Sequence, residues 1–143
     1  MVRARIDISQ DLDGHPVVYA CFDLAPEQIA AAAHAVAATA AERFRITEVS
    51  ADEVLELREL TALADELREL SGGASTVVLR PARLSTLLDA VSRFVESREQ
   101  ADWIREEDHQ PLALLREMLF PLEQLNAEAT RTALSPSEHR SHS

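Results

Sequence analysis

The strongest constraint on this chain is the recurrence of apolar residues at helical spacing. Leu84, Leu87, Leu88, Val91, Phe94 and Val95 follow an i, i+3, i+4, i+7 rule, which places them on one stripe of a 3.6-residue helix. Leu60, Leu63, Leu67 and Leu70 form a second stripe, with Val54 and Leu57 leading into it, and Leu112, Leu115, Leu119, Leu122 and Leu125 form a third. Stripes of this kind must be buried against one another or against a sheet. Leu55 falls off its stripe and is expected to make a second contact, within the domain or with another subunit.

Three segments share a plan of a short β-prone run, a cap-like residue and an amphipathic helix: "FDLAPEQIAAAAHAVAATAAERF", "RITEVSADEVLELRELTALADELREL" and "TVVLRPARLSTLLDAVSRFVESRE". The junctions fall near Ala25, Ser50 and Arg80, 25 and 30 residues apart, a weak supersecondary repeat rather than a solenoid. Pro26 and Pro81 suit a first helical turn, where the missing N–H has no helical partner. "SADE" at 50–53 reads as a capping box in which Ser50 and Glu53 satisfy each other's backbone N–H. Gly72 or Gly73 suits the left-handed conformation that ends the second helix. The last helix is expected over about residues 110–134, kinked or split at Pro121, which removes one backbone bond and crowds the preceding turn.

At the N-terminus, "RARIDIS" alternates and "VVYACFDL" is β-branched and aromatic, with "QDLDGHP" between them. Asp-Gly between two such runs predicts a β-hairpin. The expected fold is therefore α+β and helix-dominated, an N-terminal hairpin plus one or two short strands packed with about four helices. The alternative is an all-α bundle whose β-prone runs are linkers. A chain of 143 residues suits one domain with a core of its own. We assign residues 1–134 to it, hairpin at 1–24 and mainly helical at 25–134, with the polar run "SPSEHRSHS" at 135–143 as a disordered tail.

The formal charge is −11, and its distribution is uneven. Residues 46–70 carry eight acids against two arginines, residues 96–128 nine against three, and residues 71–95 only Asp89 against Arg80, Arg83 and Arg93. Phosphate backbones and anionic lipid repel such a chain, which argues against nucleic-acid or membrane binding and for a partner with a basic surface. All fourteen basic residues are arginine; a GC-rich, bacterial coding bias explains this, and it leaves no side-chain amine for Schiff-base chemistry. Cys21, the single cysteine, reads as a buried strand thiol without a basic neighbour to activate it. No apolar run approaches the length of a membrane span, and the expected location is the cytoplasm.

The densest set of ligating side chains is "IREEDHQP" at 104–111. Glu106 and His109 have the i, i+3 spacing of a Glu-x-x-His half-site, but a di-metal bundle needs a second such pair, and the chain has none. Pro111 biases the preceding residue away from helix, so the segment reads as a solvated helix junction with Asp108 as N-cap of the last helix. His15 lies in a turn, His139 and His142 in the tail, and His34 on the Ala-rich helix, where a satisfied, partly buried histidine is expected. Asp7, Asp11, Asp13 and Asp23 cluster around the hairpin, but the twelfth position of a calcium loop opening at Asp11 is Phe22 rather than glutamate. No nucleophile motif, zinc motif or phosphate loop is present.

What remains is acidic surface. Glu48, Asp52, Glu53, Glu56 and Glu59 gather on one helix, and Glu96, Glu99, Asp102, Glu106 and Glu107 run beside Trp103, the only tryptophan. The sharper reading is a docking surface with Glu53, Glu56, Glu59, Trp103 and Glu106 as contact residues and Trp103 as anchor. The plainer one makes these acids a solvated surface and has Trp103 and Ile104 extend the core stripe of the third helix. The expected function is a non-enzymatic interaction or regulatory module of the adaptor, antitoxin or immunity kind, dimeric, without cofactor or metal. A second reading is a pocket for a small anion at Arg80 and Arg83, beside a helix N-terminus. A third is a metal-dependent activity at Glu106 and His109.

Overall fold

A computed structural model describes residues 3–44, 51–70 and 76–134. Strands β1 (Arg3–Gln10) and β2 (Pro16–Asp23) pair antiparallel in an unbroken register, from Arg3 opposite Asp23 to Gln10 opposite Pro16. The turn between them is made by Asp11. Its carboxylate accepts hydrogen bonds from the N–H groups of Asp13 and His15, both at 2.9 Å, in the manner of an Asx turn. Gly14 takes φ 81°, a conformation open to a residue without Cβ. "DLDG" is thus used by the hairpin's own backbone.

Strand β3 (Thr76–Leu79) pairs antiparallel with the end of β2, giving the order β1-β2-β3. The β-prone runs here are hydrogen-bonded strands, so the fold is α+β and helix-dominated and the all-α alternative falls. Residues 45–50, including the β-prone "RITEVS", lie outside the described residues. Period-2 alternation sends Ala20, Phe22, Val77 and Leu79 into the core, with Ile6 packed against it.

Helix α1 (Pro26–Phe44) is central, in contact with α2 (Ala51–Leu70), α3 (Pro81–Gln100) and α4 (Glu106–Leu134). Being enclosed, it has no room for a single leucine stripe. Ile29, Ala31, Ala32, Ala33, Ala35 and Val36 are all buried, and alanine lets the neighbouring helices approach closely. Thr39 is buried among them and donates to the carbonyls of Ala35 and Ala90, tying α1 to α3. At the start of α1, the Gln28 side chain accepts from the N–H of Ala25.

The outer helices follow their stripes with small corrections. In α3, Leu84, Leu87, Val91, Phe94 and Val95 are buried and Leu88 partly so. In α2, burial begins at Leu57; Val54 is exposed rather than leading into the core, and Leu55 is exposed as well. Ser50, Gly72, Gly73 and the tail 135–143 lie outside the described residues, as does the side chain of Glu53, so the capping box, the glycine stop and the tail are not among the features seen.

Helix α4 departs most from expectation. It begins at Glu106, not near residue 110, and runs unbroken past both Pro111 and Pro121. Each proline forfeits one helical bond, to the carbonyls of Glu107 and Glu117 respectively. Both glutamates are on the exposed side, where water can satisfy what the helix does not. Met118 takes a fully buried place beside Leu115 and Leu122, while Leu119 is only partly buried.

Candidate functional site

Two charged residues sit where apolar stripes run out, and a histidine faces them. Arg98 lies four residues after Phe94 and seven after Val91, on the buried face of α3. Asp108 lies four before Leu112 and seven before Leu115, on the buried face of α4. His34 projects from the enclosed α1. Packing therefore brings a cation, a carboxylate and an imidazole together.

Asp108 is the centre of this cluster, with 3% of its surface exposed. One carboxylate oxygen lies 2.8 Å from His34 Nε2, and the other accepts from Arg98 Nε at 3.1 Å. Arg98 reaches further, donating through Nη1 to Glu42 at 2.8 Å and to the Ser97 hydroxyl at 2.7 Å. Buried Phe94 supports both partners: the Arg98 guanidinium lies 4.5 Å from its ring centre, and the His34 ring meets it edge-on at 5.6 Å.

Burial alone would push the Asp108 carboxyl upward, but the hydrogen bonds from His34 and Arg98, with the Arg98 charge, more than offset it and hold the group below its ordinary value. Burial likewise works against the Arg98 cation, and Glu42 and Asp108 outweigh it. Asp108 is thus ionised and can only accept. His34 Nε2 must then carry the shared proton.

The cluster forms the floor of an open cavity of about 430 Å³. Its walls include Ala38, Ala41 and Glu42 of α1, Ser97 and Arg98 of α3, and Glu107 of α4. Trp103 and Arg105, from the link between α3 and α4, line its remaining side. Trp103 is 74% exposed. It does not continue the α3 stripe, because α3 has ended at Gln100; Ile104 alone turns inward and packs on the core.

The residues singled out from the sequence separate in space. Asp108 is no N-cap, since its carboxylate faces His34 and Arg98 rather than the first N–H groups of α4, and the solvated-junction reading fails at that residue. Glu106 and His109 are exposed on α4, away from any cluster: among the described residues no group of three His, Cys, Asp or Glu side chains suits a metal ion. Glu56 pairs with Arg43, and Glu59 is exposed on α2. Arg83 is held by Glu66 at 2.7 Å, and Arg80 occupies the N-cap position of α3 without a side-chain cap. Of the acids near Trp103, Glu107 lines the cavity, while Glu99 is bound to Arg116 at 2.9 Å.

Cys21 is buried, as a strand thiol should be, but on the sheet face opposite Phe22 and the helices. There its sulfur lies 3.3 Å from Asp7, which also holds Arg5 at 3.1 Å. Burial, and then the Asp7 carboxylate, push the thiol's pKa up, so it is not an activated nucleophile. Among the described residues no helix is long and apolar enough to cross a membrane. Comparison with family models, curated proteins and solved structures returned no match to this chain.

Proposed function

We propose that this protein is a non-enzymatic interaction module that engages a partner protein with a basic surface at the α1–α3–α4 cavity, Trp103 being the anchor. The observation that carries the reading is Trp103 itself, a large aromatic side chain exposed at a cavity rather than folded into the core that passes beside it. Exposed aromatics next to concave, charge-rimmed surface are the usual anchors of protein interfaces. The polar groups on the cavity floor are already bonded to one another, which suits recognition better than proton transfer. The chain's net charge of −11 favours encounter with a cationic surface.

The test is native mass spectrometry of the protein purified from its own cells, wild type beside Trp103→Ala. The expected result is a co-purifying protein chain whose abundance falls at least tenfold in the variant and with rising salt, on the scale of an anchor residue. A partner retained equally by Trp103→Ala, or a bound small molecule in place of a protein, would overturn the reading.

A further inference from the structure

The cavity holds a ring nitrogen without a partner. His34 Nε2 is committed to Asp108, and among the described residues nothing donates to Nδ1, on a ring that is 38% exposed and lines the cavity. Glu42 and Glu107 present half-exposed or exposed carboxylates to the same space. Trp103 adds an indole, the aromatic ring that attracts cations best. The two arginines present do not reverse this character. Arg98 is shared by Glu42, Asp108 and Ser97, and Arg105 pairs with Glu107 at 3.6 Å. An anion entering the cavity would meet three carboxylates, one of them buried and ionised.

We infer that the cavity is a subsite for a cationic side chain of the partner, an arginine or lysine accepted by the Glu42 and Glu107 carboxylates beside the Trp103 ring. This rests on the interaction reading and deepens it by naming what enters. The charged groups around the subsite are Glu42 on α1, Arg98 on α3, Arg105 on the link, and Glu107 and Asp108 on α4.

The probe is a capped peptide, acetyl-Gly-Gly-Arg-Gly-Gly-amide, titrated into the full chain, with citrulline or glutamate replacing arginine as controls. Trp103, the chain's single tryptophan, reports by its fluorescence. The arginine peptide is expected to shift the emission saturably and citrulline is not. Binding should weaken about tenfold in Glu107→Gln. Equal responses to arginine and citrulline, a response to the glutamate peptide instead, or unchanged affinity in Glu107→Gln would overturn the inference. If the arginine peptide leaves Trp103 unmoved while the partner from the cells still requires Trp103, this inference fails alone. If neither binds, the interaction reading fails with it.

Discussion

Asp108 shows how a single buried charge organises the helices around it. Removing it would leave Arg98 and His34 without their shared carboxylate, and deleting one member of a buried ion pair costs more than the pair itself contributes. Asp108→Ala is therefore expected to lower unfolding free energy by about 3 kcal/mol, read by urea denaturation at neutral pH. Because the folded-state pKa of Asp108 lies below the ordinary carboxylate value, its contribution is complete above the unfolded-state pKa. It is lost as pH falls through the lower, folded one. The wild type should thus lose its advantage over Asp108→Asn only in acid, below about pH 4; an advantage that already disappears between neutral pH and about pH 5 would contradict the assignment. Little of this was legible in the sequence, since Asp108 and His34 are 74 positions apart and no periodicity links them. A clue was present nonetheless: Asp108 and Arg98 both fall on the apolar stripes of their helices, where a charge requires a partner.

At the scale of elements, periodicity carried most of the information. The stripe of α3, that of α2 from Leu57 onward, the hairpin and the proline at the start of α3 are as their spacing predicts, because each depends on residues a few positions apart. Helix α4 was misjudged for a physical reason. Pro111 and Pro121 are local signals against helix, and the tertiary contacts of Leu112, Leu115, Met118, Leu122 and Leu125 outweigh them. That balance predicts a latent gain. Pro121→Ala restores one backbone bond and a better helix former, partly offset by a freer unfolded chain, and should raise stability by about 2 kcal/mol. Thermal unfolding followed by circular dichroism measures it, and a lower melting temperature would mean that the half-buried proline ring is itself a packing element. The early start of α4 matters for the site as well, because it is the first turn of this helix that delivers Glu107 and Asp108 to the cavity.

At the scale of the whole molecule, the three-stranded sheet covers one side of a helical assembly whose core draws on every helix, β2 and β3. The surplus of acid is distributed over α2 and the α3–α4 region, and the sequence alone suggested both as docking surfaces. The structure distinguishes them by shape: on α2, Glu56 is paired with Arg43 and Glu59 is simply exposed, whereas the α3–α4 region has a cavity with an aromatic at its edge. Concavity arises from how three helices meet, and composition does not encode it. In the proposed complex Trp103 is covered by the partner. The direct measurement is fluorine NMR of the protein labelled with 5-fluorotryptophan, which gives one resonance from this chain before and after the partner is added. The account predicts that this resonance shifts and loses its sensitivity to solvent exchange from H₂O to D₂O as the complex forms. A complex that forms with the resonance unmoved and still fully solvent-sensitive would place the interface elsewhere and contradict it.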